Sequence, residues 1–162
     1  MNANKVRQKR LALIVDLDET VCTEFDVPVE TAVAVLRRVD EKKVDVHYVT
    51  ARTGVFREGT ERFLEAHRLP GRTNVHYCPD TLDSWEHKRR KHKTLSQELA
   101  VIASIGDSEE EEEAAAAVGM CFVKVDAYRP AEAWLVLEGW ISEAGGFEAV
   151  GVVRGLDPGS QT

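Results

Sequence analysis

The sequence predicts an α/β fold, a doubly wound, Rossmann-like domain of three layers around a five-stranded parallel sheet. Three observations predict it. The run Leu11-Ala-Leu-Ile-Val15 is apolar at every position, as a strand buried on both faces must be. Strand-like and helix-like segments then alternate to the end of the chain, with no internal repeat and no linker between two domains. Short polar clusters follow the apolar runs: Asp16 and Asp18 after the first strand, Thr50 and Arg52 after the second, Asp107 and Ser108 after the fourth. Right-handed crossovers bring the carboxyl ends of all the strands to one edge, where open α/β sheets bind their ligands.

In order, residues 1–10 form a basic segment, a domain spans 11–145 and a tail covers 146–162. Residues 22–28 read as a loop. Val29, Ala32, Val33, Leu36 and Val39 make a helical stripe over 29–39. The β-branched alternation of 44–49 is a second strand, delivering Thr50-Ala-Arg52. A helix over 57–67 turns Phe63, Leu64 and Leu69 inward and stops at Pro70-Gly71. Strand 75–78 ends at Pro79, a loop carries 80–85, and a helix covers 86–99 with Leu95 and Leu99 inward. A fourth strand, 101–105, closes at Gly106-Asp107-Ser108. A helix over 109–118 stops at Gly119, and 121–125 is the fifth strand. Pro130 opens a last helix, 131–144, with Trp134, Leu137 and Ile141 on one face. The remainder reads as a short strand or loose tail.

The bulk properties bound the function. The 162 residues are 43% hydrophobic and 30% charged, with no apolar run near the roughly 20 residues of a membrane span. The basic start is followed by an apolar stretch that stops at Asp16, so a signal peptide or membrane anchor is not expected. Cys22, Cys78 and Cys121 are too scattered for a disulfide framework or zinc site, which points to a reducing, cytoplasmic setting. The net charge of −7 hides an uneven distribution, with acids at every position from 109 to 113 and a basic run His87-Lys-Arg-Arg-Lys-His-Lys93.

Two aspartates at i, i+2 repel unless a positive group lies between them. A hard divalent cation with oxygen ligands, most often magnesium, answers that repulsion. With Asp107 from the fourth strand, Thr50 from the second and Lys88 from the third helix, the edge suits a phosphate ester. A carboxylate there can attack phosphorus while a second one moves protons. The glutamates at 109, 110, 112 and 113 read as a solvated face that favours the helix dipole.

Asp16-Leu-Asp18-Glu-Thr20-Val, Thr50, Lys88 and Gly106-Asp107-Ser108-Glu-Glu-Glu111 resemble, in order, the four motifs of the haloacid dehalogenase superfamily phosphatases. The resemblance runs from about 11 to 125. It implies Asp16 as nucleophile and Asp18 as general acid/base. Thr50 and Lys88 would hold the phosphoryl group with Arg52, and Lys91 and Lys93 lie close enough to Lys88 to be alternatives. Magnesium would be bound by Asp16, Asp107 and the backbone carbonyl of Asp18, with Ser108 and Glu111 in support. Glu19 stands where many members have glycine.

Neither the segment from Asp18 to Thr50 nor that from Thr50 to Lys88 has room for an inserted cap domain. An uncapped site suits a large substrate, a polymer end or closure by a second subunit. Thr50-Ala-Arg52, Arg57, Thr60-x-x-Phe63-Leu64, Pro70, residues 75–79 and Lys88 also resemble the phosphatase domain of bacteriophage polynucleotide kinase-phosphatases, enzymes of 3′-phosphate ends. That resemblance implies a nucleic-acid terminus as substrate, its phosphates contacted by Arg52, Arg57 and the basic run that includes Lys91. Trp85, in the loop beside the site, is a candidate either for stacking on a base or for anchoring the loop. The alternatives are a phosphatase of a small phosphorylated metabolite or nucleotide, a phosphoprotein phosphatase, and a phospho-acceptor receiver-like module. The Asp-Leu-Asp-Glu-Thr form is also similar to phosphatases of the polymerase tail, but Gly106-Asp107-Ser108 departs from their last motif. A receiver would carry its acceptor Asp after the third strand, where this chain has Cys78-Pro79. His47, His76, His87 and His92 have no metal-ligand spacing.

Overall fold

The computed structural model describes residues 7–148; the first six residues of the basic segment and positions 149–162 of the tail lie outside the described residues. In chain order the elements are β1 (Leu11–Val15), α1 (Glu30–Arg37), β2 (Val44–Val49), α2 (Arg57–Ala66), β3 (Val75–His76), α3 (Ser84–Glu98), β4 (Ala100–Gly106), α4 (Glu109–Ala117), β5 (Phe122–Lys124) and α5 (Pro130–Glu143). The five strands form one parallel sheet in the order β3-β2-β1-β4-β5. This is the doubly wound architecture expected from the alternation of elements. Among the described residues, no helix is long and apolar enough to cross a membrane.

The central strand has no solvent face, and its residues divide between two layers. Leu13 and Val15 join a core with Ala32 and Leu36 of α1 and Trp134, Leu137 and Ile141 of α5. Ile14 points the other way, to Val49 and Leu95. Accordingly α1 packs on α5 beneath one face, and α3 on α4 over the other. Trp134 is fully buried and its Nε1 donates to the Thr20 carbonyl at 3.2 Å, tying the core to the loop after β1. Gly71 follows α2 with φ +73°, where a Cβ would meet the Val46 carbonyl oxygen at 2.2 Å; only glycine fits there.

The chain runs outward from β1 through β2 to β3, then crosses to β4 on the other side of β1. Between β1 and β4 the direction of winding reverses, the point at which open α/β sheets form a ligand crevice. Asp16 and Asp107 stand directly after these two strands.

Several local expectations are corrected. Residues 22–28 are not a plain loop. Cys22–Thr23 pairs antiparallel with Val27–Pro28 around a 3₁₀ turn, Glu24–Asp26. The third strand is only two residues long. Helix α3 begins at Ser84, because Asp83 caps it by accepting from the Glu86 N–H at 2.8 Å. Trp85 therefore lies on the helix, and Lys88 in its second turn rather than at its start. Beyond α5, Gly146 is buried and Phe147 bridges to Val39.

Candidate active site

The turn after β1 separates the two aspartates. Asp16 continues the strand, donating its N–H to the Ile105 carbonyl at 2.9 Å, and is only 5% exposed. The Leu17 carbonyl then accepts from the N–H groups of Thr20, Val21 and Cys22, a tight reversal that needs Glu19 in left-handed conformation at φ +58°. The reversal leaves the Asp18 carboxylate at the surface and aims the buried Thr20 hydroxyl at Asp16 Oδ2, 3.4 Å away.

The far side of Asp16 is closed by α3 and α4. Lys88 is 3% exposed, and its Nζ lies 3.4 Å from Asp16 Oδ1. It also forms an ion pair with Glu111 and stands 3.7 Å from Glu110 Oε2. Glu111 is buried and doubly employed. It accepts from the Ser108 N–H at 2.9 Å and from the Ser108 hydroxyl, capping α4, while its other oxygen faces Lys88. Gly106 makes room for it, since a Cβ there would come within 2.8 Å of Glu111 Cγ. Glu110 is half-buried and accepts from the Ser84 hydroxyl at 2.6 Å, linking the two helices beside the lysine. Glu110 thus leaves the solvated face expected for it, whereas Glu112 stays outside and pairs with Lys124.

One ammonium against this many carboxylates leaves a surplus of negative charge. Burial pushes the Asp16 carboxyl up to about 7, with Lys88 pulling the other way and Asp107 adding to the rise. Asp16, Asp107 and Glu111 each offer an oxygen within 4.8 Å of the others. Hard oxygen donors, clustered and under-compensated, fit a divalent cation such as magnesium.

Asp18 and Arg52 meet at the mouth of the crevice. The guanidinium grips the Asp18 carboxylate with Nε at 3.0 Å from Oδ2 and Nη2 at 2.7 Å from Oδ1. It also reaches Asp26 of the hairpin and Thr60 of α2. Thr50, fully buried at the end of β2, accepts the Arg52 N–H at 3.1 Å and donates its own N–H to the His76 carbonyl. Asp18, Asp26, Ala51, Arg52 and Phe56 line an open cleft of about 520 Å³.

The structure therefore gathers Asp16, Lys88, Asp107, Ser108 and Glu111, and sets Asp18 with Arg52 beside them. Arg57, Trp85 and Lys91 are not among the residues lining the cleft at Asp18. Arg57 lies over the Tyr77 ring, 4.5 Å from its centroid, in another cleft. Trp85, 44% exposed, faces a cleft lined by Asp83, Glu86, Arg89, Glu110 and Glu113. Lys91 is half-buried near His76 and His87.

The basic run is only partly solvated. His87, Lys88 and His92 are buried, and Glu86 holds both Arg89 and Arg90. His92 bridges α3 to the sheet, with Nδ1 at 2.8 Å from the Lys88 carbonyl and Nε2 at 2.9 Å from Ser104 Oγ. His87 Nε2 lies 3.0 Å from the His76 carbonyl. Sequence reasoning missed Asp26, Glu110 and His92. The pattern Ser108-x-x-Glu111 is a capping-box signal that would have placed Glu111 at the start of α4.

No family model matches the sequence, and no curated protein matches it. Solved structures do share its fold. A chain of the Pnkp1/Rnl/Hen1 RNA repair complex superposes with a TM-score of 0.59 at 18% identity, covering 77% of this chain and 45% of that one. The class C acid phosphatase from Bacillus anthracis with tungstate bound superposes with a TM-score of 0.56 at 14% identity, covering 86% of this chain and 80% of that one. The chain thus spans less than half of the RNA-repair chain. The fold implied by the haloacid dehalogenase-like motifs is the fold observed.

Proposed function

We propose that the protein is a magnesium-dependent phosphatase that hydrolyses phosphate monoesters through an aspartyl-phosphate on Asp16. One observation carries the reading: a buried carboxylate at the β1/β4 switch point, touched by a buried lysine and flanked by Asp107 and Glu111. The shared fold with an acid phosphatase supports it.

An Asp16 oxygen attacks phosphorus, and the bond from phosphorus to the leaving oxygen breaks. Lys88 and the Thr50 hydroxyl hold the transferring phosphoryl oxygens. Asp18 gives a proton to the leaving oxygen, then takes one from the water that attacks the phosphoenzyme, releasing phosphate and restoring Asp16. Glu111 keeps Lys88 extended toward Asp16. Asp16, Asp107 and the Asp18 carbonyl would hold magnesium, which would supply positive charge that lets phosphate approach the carboxylates.

We further propose the 3′-phosphate end of a polynucleotide as substrate. The open cleft and the fold shared with a chain of an RNA repair complex support that choice. A small phosphorylated metabolite or nucleotide is the second reading, favoured by the acids around Trp85, which repel a polyanion. The free cysteines suit a cytoplasmic setting.

A magnesium-supplemented panel of 3′-phosphate oligonucleotides, 5′-mononucleotides, sugar phosphates and phosphopeptides decides between them. Rates confined to oligonucleotides and falling steeply with salt support the polymer reading. Equal rates on small esters support the metabolite reading. Activity that survives Asp16→Asn defeats both.

A further inference from the structure

Arg52 holds two carboxylates at once. Its Nη2 is 2.7 Å from Asp18 Oδ1 and 2.7 Å from Asp26 Oδ1. Its Nη1 donates to Thr60 Oγ1 at 3.0 Å, and Thr60 is fully buried on α2. The guanidinium is thereby fixed to the body of the domain, its side chain only 13% exposed. Asp26 reaches it from the hairpin that follows the first motif, out of a left-handed backbone at φ +57°. All three charged groups line the same open cleft. The mechanism uses Asp18 and leaves Asp26 without a role.

With both of its oxygens engaged by the guanidinium, the Asp18 carboxyl group has neither oxygen free for a leaving group. To work, Asp18 must leave Arg52 and come back. A half-desolvated guanidinium that lost its only carboxylate would stand uncompensated, which opposes the departure. A second carboxylate on the same nitrogen removes that obstacle, because Arg52 keeps a partner while Asp18 turns toward the substrate.

We propose that Asp26 is a positioning residue which, through Arg52, frees and re-seats the Asp18 carboxylate, so that the hairpin governs leaving-group protonation. The proposal rests on the phosphatase reading above.

Leaving groups provide the test. The oxygen of p-nitrophenyl phosphate departs as a stable phenolate and needs little help from an acid, whereas that of glycerol phosphate needs a proton. With magnesium present, Asp26→Asn should lower kcat/KM on glycerol phosphate at least about tenfold while kcat/KM on the aryl ester stays within about twofold, because kcat/KM covers only the steps up to the phosphoenzyme and omits the later proton transfer to Asp18 that both esters share. Asp26→Glu should restore most of the lost rate. Both substrates are measured on the same sample, so the ratio of the two rates is independent of the fraction folded. Equal losses of kcat/KM on both esters, or no change in either, overturns the proposal. Asp16→Asn is the control: if it remains active, the phosphatase reading fails, whatever Asp26 does.

Discussion

Lys88 Nζ lies 3.4 Å from Asp16 Oδ1 across 72 positions of sequence, with the two side chains only 4% and 5% exposed. The same ammonium pairs with Glu111 and approaches Glu110. It is therefore the internal counter-charge of the crevice, and its removal leaves buried carboxylates facing one another. Lys88→Met should destabilise the metal-free protein by about 3–5 kcal/mol in urea unfolding at neutral pH. Added magnesium should recover part of that loss, because it replaces the missing positive charge.

Magnesium itself should act on stability in a pH-dependent way. In the metal-free fold the Asp16 carboxyl titrates at about 7 against 3.8 unfolded. Between those values the folded state holds a proton that the unfolded state has lost, so this group's contribution declines as pH rises toward 7. A cation takes the place of that proton. Thermal melts should show a larger rise in Tm on adding magnesium at a pH about one unit above 7 than at about one unit below.

His92 works in the opposite sense. Burial lowers its pKa from 6.5 to about 4. Its contribution is intact above 6.5 and is lost as pH falls to about 4, because the unfolded imidazole then takes a proton that the buried one refuses. Asp16 gains over much of this window and offsets part of the loss. Without that offset, metal-free Asp16→Asn should lose stability more steeply between pH 6.5 and 4 than the unsubstituted protein. Equal slopes in urea titrations would contradict it.

Glu19 carries the cost of the turn between the two aspartates. A side chain at φ +58° is tolerable for glutamate and poor for a β-branched residue. Glu19→Gly should be neutral or stabilising by up to about 1 kcal/mol, whereas Glu19→Val should destabilise by about 1–3 kcal/mol, read from denaturant midpoints.

Much of this site was legible before folding because its parts sit where the chain has little choice. A strand covered on both faces must be apolar throughout, so residues 11–15 announced the centre of the sheet, and the polar residues after β1, β2 and β4 marked its carboxyl edge. The hairpin at 22–28 was not legible, since two-residue strands around Glu24-Phe25-Asp26 carry no period. Nor was the meeting of Asp26 with Arg52, which depends on the path of that hairpin across the crevice. The burial of His87 and His92 was not legible for another reason. Five residues apart, they do not share a helical face, yet His87 reaches the His76 carbonyl and His92 reaches Ser104, and both are buried. Charge on a helix shows exposure only where one side is free.

The central claim is that a phosphoryl group passes through Asp16. Acid quenching during steady turnover of an aryl phosphate with magnesium, followed by peptide mass mapping, tests it directly. One phosphoryl group should appear on the peptide carrying Asp16, vanish on treatment with hydroxylamine, and be absent from Asp16→Asn, which should also be inactive. Turnover by Asp16→Asn, or an unmodified Asp16 peptide while a phosphoryl group is trapped on another residue, would contradict the account.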